Sequence, residues 1–245
     1  MKFCKADGKI PLKLGANANF VDIRDSLHLP KFDGYEAVNS IIETVRNAPD
    51  TIILLAVGKL TNIALALKKA PEIKNKIKIV WLGSNYPVKG AYNMENDMEA
   101  TRYILFQDVH FEMVTVRWPN KGGSTDVNVT PADMEKHMPG TGPEVDLIVG
   151  RHGKSFTHFG DYSIDLFHHI DLHGDNRPLY DAVAVAILKN PEWGESRTIP
   201  APRFDGENWV EQPDNKIKII IWENFDKEKI LADFFNTMNK PELVE

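Results

Sequence analysis

The chain is poor in cysteine, in long apolar runs and in clustered charge, and each shortage removes a class of protein. Its one cysteine, Cys4, excludes an internal disulfide framework and makes a reducing, cytoplasmic compartment the default expectation. No stretch approaches the ~18 consecutive apolar residues of a transmembrane helix. The start, "MKFCKADGKIPLKLGA", lacks the apolar core of a secretory signal. No membrane partner is expected. Basic blocks are missing too, and with a net charge of −6 a nucleic-acid backbone is not expected as the partner. There is no G-x-S-x-G elbow and no Ser-His-Asp order, so a serine hydrolase has no support. No repeat, low-complexity tract or linker divides the chain, and a single domain over residues 1–245 is expected.

What is present is an ordinary globular composition, 42% hydrophobic and 26% charged, arranged in alternating runs. "GYEAVNSIIETVRNAPD" (34–50) places Ala37, Ile41, Ile42 and Val45 at helical spacing, and Pro49 closes it. "TIILLAVG" (51–58) is a continuous apolar run, expected to be a strand buried on both faces. Residues 60–73 return to a helical pattern, "IKIVWLG" (77–83) reads as the next strand, 95–106 as a helix capped by Asn96 or Asp97, and "HFEMVTVRW" (110–118) as a strand. Further helices are expected at 130–138, 161–172, after Pro178 and at 226–238, with short strands around the Asp-Gly turn of 196–225. Successive β–α units predict an α/β fold with a mainly parallel sheet and helices on both faces.

In such a sheet, ligands bind where strands end and helices begin. The loops "AVGKLTN" (56–62) and "LGSNYPVKGAYNMEND" (82–97) occupy that position, and the second gathers Asn85, Tyr86, Tyr92, Asn93, Asn96 and Asp97. It is either a binding loop or a solvated loop with Asx turns and a helix cap. Asp181, in "PLYDAVAVAILKN", is either an ordinary helix N-cap or a ligand with partners elsewhere. "HHIDLHGD" (168–175) looks like a metal tract, but helical spacing splits it: His168 with Asp171, and His169 with His173. "GRHGKS" (150–155) lacks the spacing of a phosphate-binding loop, and Cys4 shows no sign of activation.

The segment "LLAVGKLTNIALALKKAPEIKNKIKIVWLGSNYPVKGAYNMENDMEA" (54–100) closely resembles the centre of inosine–uridine-type nucleoside hydrolases. That family shows G-x-L-T-N-[IL]-A, then a strand ending in Gly-Gly or Gly-Ser, then E-[FY]-N-x-x-x-D-x-E-A. "PLYDAVAVA" takes the place of its late His-Asp-x-x-[AC]-V motif, and "FEMVTVRW", "GRHGKSFTHFGDYS" and "NKIKIIIWENFD" suggest a bacterial branch. The resemblance implies a Rossmann-like three-layer fold and an N-ribohydrolase of nucleoside salvage, splitting a purine or pyrimidine ribonucleoside into ribose and base. A homo-oligomer is compatible with it. It also implies a calcium ion that holds an attacking water and the ribose hydroxyls, with an aspartate as general base.

Carried over by position, Asp181 falls on a calcium-ligating aspartate and Val57 on a residue whose backbone carbonyl is a ligand. Asn93 falls on a ribose-binding asparagine, Asn85 and Tyr92 lie in the ribose loop, and Asp97 falls on the motif's second acid, read here as a helix cap. Three departures follow. Ala91 stands where the family has a sugar-binding glutamate, and Tyr180 where well-studied members have the leaving-group histidine, leaving it a donor or a base-stacking role. The aspartate-rich D-x-D-x-x-x-D-D turn is absent, and Asp22, Asp25 and Asp33 offer no substitute strand. The expectation is therefore a chain that lacks the family's first β–α units, with residues 9–18 as the strand that normally follows them. Calcium should then bind weakly or not at all. The alternative to an active enzyme is a noncatalytic remnant that binds nucleoside weakly, or a piece that needs another chain for its catalytic aspartates.

Overall fold

The structure is a computed structural model that describes residues 1–171 and 174–243. Its centre is a five-stranded sheet of β1 (Ile52–Ala56), β2 (Ile77–Ser84), β3 (His110–Thr115), β4 (Glu195–Pro200) and β5 (Lys218–Glu223). The spatial order is β1-β2-β3-β5-β4. The pairs β1–β2, β2–β3 and β3–β5 are parallel, and β4 closes one edge antiparallel to β5. The mainly parallel sheet is as expected.

The two faces are sorted by the period of two along each strand. Ile77, Ile79 and Trp81 of β2 join Phe111 and Met113 of β3 and Ile219 and Ile221 of β5 in one core. The same core takes Val38, Ile42 and Val45, which share a stripe on α2 (Tyr35–Asn47), and the buried side of α3 (Thr61–Lys69). Val80, Leu82, Val114 and Trp222 face the other way. There they meet Val183, Ala184 and Ile187 of α8 (Tyr180–Lys189) and Ile230 of α9 (Lys227–Asn239). Helices therefore cover both faces, giving three layers. Between these lie α1 (Phe20–Ile23), α4 (Tyr92–Glu95), α5 (Met98–Leu105), α6 (Pro131–His137) and α7 (Phe159–Phe167). The helix starts obey local chemistry. Thr130 and Asp133 form a reciprocal capping box at α6 with Pro131 in the first turn, and Asp226 caps α9.

Two expectations are corrected. Residues 9–18 form no strand; they run as an irregular segment whose Ala16 N–H donates to Asn62 Oδ1 at 2.9 Å. β1 is not buried on both faces. Ile52, Leu54 and Ala56 pack on the α2–α3 side, but Ile53 is 50% exposed and Leu55 38% exposed on the other. The α8–α9 layer covers β2, β3 and β5 and stops short of β1, which is also the outer strand. An uninterrupted apolar run records a strand's character but not its place in the sheet. The Asp-Gly turn is where expected, joining Arg203–Asp205 to Asn208–Val210 in a hairpin with Gly206 at φ +59°.

An open strand edge beside an uncovered apolar face is a template for association. Sedimentation velocity is expected to show concentration-dependent self-association that Ile53→Lys with Leu55→Glu suppresses, while the melting temperature changes little. A concentration-independent monomer in the parent chain would count against this.

Candidate functional site

The site is set by how β1 and β2 end. Trp81, fully buried in β2, donates its indole N–H to the Gly58 carbonyl at 2.9 Å and so fixes the turn from β1 into α3. The neighbouring Gly83 is required sterically, because a Cβ there would lie 2.3 Å from Trp81 Cε2. Beyond β2 the chain passes through Ser84 and Asn85 to α4. Asn93 in α4 donates both amide hydrogens to backbone carbonyls, those of Val57 at 3.1 Å and Leu82 at 2.9 Å. Its side chain clamps the two strand ends together, leaving the amide oxygen for a ligand. Asp97 is the N-cap of α5, accepting from Ala100 N at 3.1 Å, and is 2% exposed. The cap reading of Asp97 therefore holds.

These ends open into a cavity of about 670 Å³. Val57, Asn85, Tyr92, Asn93, Tyr180 and Asp181 all line it, although they come from three separate parts of the sequence. Asn85 is buried; its Nδ2 donates to the Lys89 and Trp118 carbonyls, and its Oδ1 has no partner. A buried, unpaired carbonyl oxygen on a cavity wall is a natural acceptor for a ligand hydroxyl. Tyr92 is 80% exposed at the rim. Ala91, where a glutamate was expected from the resemblance, also faces the cavity and holds φ at 110°, a strained value for an L-residue.

Asp181 is not an N-cap. Leu179 occupies the cap position of α8, two residues before Asp181, where the chain leaves the two-residue ribbon of Asn128–Val129 and Arg177–Pro178. Asp181 lies in the first turn, faces the cavity and makes no hydrogen bond or ion pair among the described residues. Desolvation by the surrounding protein raises its carboxyl pKa above the usual range. The phenol of Tyr180 is raised as well; its burial outweighs the hydrogen bond with the Thr125 side chain and the charge of Arg177. It remains a proton donor for hydrogen bonding at neutral pH and is poorly suited to proton shuttling.

Sequence reasoning missed the wall residues Trp118 and Arg177, and it reached Lys89 only as part of the 82–97 loop. "RW" at the end of the β3 run was the available signal for Trp118; Arg177 carried none. The histidine tract also resolves differently from expectation. His168 pairs with Glu135 at 3.0 Å, and His169 Nδ1 contacts the Asp165 carbonyl at 2.7 Å. The expected partner His173 lies outside the described residues. "GRHGKS" forms the turn between Ile148–Val149 and Ser155–Phe156, a hairpin of two short strands. Cys4 is free and exposed.

Among known proteins, the model of the inosine-uridine preferring nucleoside hydrolase family matches residues 6–230. The pyrimidine-specific ribonucleoside hydrolase RihB of Shigella flexneri serotype 5b is 28% identical over 163 residues, covering 64% of this chain and 47% of the relative. The chain thus spans about half the length of the curated relatives it matches. In three dimensions, the inosine-uridine preferring nucleoside hydrolase of Bacillus anthracis aligns with a TM-score of 0.61 and 19% identity over 83% of this chain and 65% of the other. A plant nucleoside hydrolase, PpNRh1, aligns with a TM-score of 0.65 and 20% identity over 91% and 75%. At these identities the structural likeness is a likeness of fold.

Two substitutions probe the geometry. Gly83→Ala is expected to cost about 1–3 kcal/mol through overpacking against Trp81, read as a lower denaturation midpoint in urea. Asp181 takes up its proton more readily folded than unfolded, so stability falls as pH rises from the ordinary value of 3.8 through the raised one. Asp181→Asn should therefore raise the melting temperature at pH 7, and the gain should vanish as pH approaches 3.8.

Proposed function

We propose, on the premise that this chain belongs to the inosine-uridine preferring nucleoside hydrolase family, that the cavity at the ends of β1 and β2 is a ribonucleoside-binding site of the N-ribohydrolase type. The observation that carries this reading is the convergence of Val57, Asn93 and Asp181 on one cavity, with Asp181 lacking a partner among the described residues. A volume of about 670 Å³ suits a nucleoside. The Asn93 and Asn85 oxygens accept from ribose hydroxyls, and Trp118 with Tyr180 offers aromatic surface to the base. Tyr180, held protonated, donates to a base heteroatom. N-glycosidic cleavage builds positive charge on the sugar, and the Asp181 carboxylate is placed to stabilise it.

Calcium fits this lining only in part. The donors are oxygens, as calcium prefers, but Asp181 is the one carboxylate among the described wall residues. The Val57 carbonyl already accepts from Asn93, and Lys89 and Arg177 add positive charge to the wall. Tight calcium sites need six to eight oxygens and several charged ligands, so no hydrolytic step is routed through the ion here. No wall residue is positioned as the general base either. The proposed activity of these residues alone is therefore nucleoside binding with little or no turnover. A second reading, in which another polypeptide supplies the missing acids, is favoured by the open edge of β1 that ends beside Val57.

The test is ribose release from inosine, uridine and a nitrophenyl riboside by purified chain, with and without calcium, alongside NMR titration of the nucleosides. We expect no turnover above the Asp181→Ala background, and weak binding that Asn93→Ala lowers roughly tenfold. Clear turnover that is lost in Asp181→Ala would sink the claim that the site is incomplete. Shift changes that spare the cavity residues would sink the binding site.

A further inference from the structure

Away from this cavity, three groups with metal-binding chemistry meet where the 148–156 hairpin packs on α7. Asp165 lies on α7 and is 4% exposed. His169 follows one turn later, just past the helix end, and His152 sits in the hairpin turn; both histidines are exposed. Each of the three offers one ligand atom, and those atoms lie within 4.8 Å of one another. None of the three lines the nucleoside cavity.

We propose that His152, Asp165 and His169 form a binding site for a single zinc-class divalent cation, with water in the remaining position. The spacing fits: Zn–N and Zn–O bonds of about 2.0–2.1 Å in a tetrahedron put neighbouring ligand atoms about 3.3 Å apart. His152 Nδ1 and Asp165 Oδ2 are 3.3 Å apart, long for a charge-assisted hydrogen bond and matched to a shared metal. His169 Nδ1 lies 2.7 Å from the Asp165 backbone carbonyl and 3.9 Å from Asp165 Oδ2. The carbonyl can only accept, so Nδ1 carries the proton and Nε2 is the nitrogen with the lone pair. The two imidazoles stack with centroids 4.1 Å apart and planes 23° from parallel, so sharing one ion requires an exposed ring to turn out of the stack and bring both in-plane lone pairs onto it.

The carboxylate is oriented. Lys154 Nζ holds Asp165 Oδ1 at 2.9 Å, leaving Oδ2 as the single oxygen available to a metal. Two imidazoles and one carboxylate select zinc and its transition-metal neighbours over calcium and magnesium, which prefer all-oxygen shells. The bound ion would clasp the hairpin to α7. This site is independent of the nucleoside reading and of Asp181.

The test is equilibrium dialysis of the chain against Zn²⁺ with metal analysis, and visible absorption after Co²⁺ substitution. One equivalent of Zn²⁺ is expected, with d–d bands of a four-coordinate nitrogen–oxygen Co²⁺ site. His152→Ala and His169→Ala should each weaken binding roughly tenfold or more. Asp181→Asn and His168→Ala should leave it unchanged. Zn²⁺ should also raise the melting temperature of the parent but not of His152→Ala, whose exposed turn position makes it a safe fold. Absence of the bound equivalent, or binding that both histidine variants retain, would overturn the proposal.

Discussion

The arrangement hangs on the carboxylate of Asp97. It is buried, and a buried charge persists only when its oxygens are fully engaged. Here it accepts from Phe20 N at 2.8 Å, from the Thr61 hydroxyl and from Ala100 N at 3.1 Å. Those three donors belong to α1, to α3 behind β1 and to α5 behind β2. One side chain thus fixes the position of the two helices that follow the two site-forming strands. Four residues earlier, Asn93 performs the matching task on the other side, joining the Val57 and Leu82 carbonyls. The polar richness of the 82–97 loop is therefore divided between architecture and binding, and the same residues cannot be assigned wholly to either.

The acids elsewhere in the chain make Asp181 stand out. Glu112, 3% exposed, meets the indole N–H of Trp222, the Lys78 ammonium and the His110 ring, each at 2.7 Å. Desolvation opposes its ionisation, but those partners prevail and its pKa is lowered. Asp33 binds the Asn17 and Ala18 amides, and Asp133 closes the α6 cap. Each of these carboxylates is explained by the fold. Asp181 is exposed on the cavity wall, and the desolvation that raises its pKa has no compensating partner among the described residues. Lys89 and Arg177 share that wall, so its charge is mixed.

Much of the fold was legible in the sequence, for reasons that are local. The apolar stripe of α2, the apolar run of β2 and the helix expected at 130–138 depend on residues within a few positions of each other. The six candidate site residues also came together, because strand-end loops and the start of α8 are brought to one place by any parallel sheet of this kind. What could not be read depended on distant chain. Ile53 and Leu55 are exposed because no layer reaches them, a fact about α8 and α9 and not about β1. Leu179 takes the cap of α8 because a ribbon with residues 128–129 sets the entry of the helix. His152 reaches Asp165 from a hairpin whose strands are two residues long, too short to show a period. Asp165 and His169 are an i, i+4 pair that the sequence reading passed over by matching His169 with His173.

The pairing of β3 with β5 has a consequence for synthesis. The Thr115 hydroxyl donates to the Trp222 carbonyl across 107 residues, and Glu112 meets the Trp222 indole across 110. While the ribosome makes the intervening segment, the helical block of residues 35–115 can assemble around β1 and β2. β3 must wait with one edge unpaired, and Glu112 with its charge incompletely met. The cavity lacks its Asp181 wall for most of that time. The sheet therefore closes through a long non-local pairing, the kind of topology that is slow to form and leaves a strand edge open until it does.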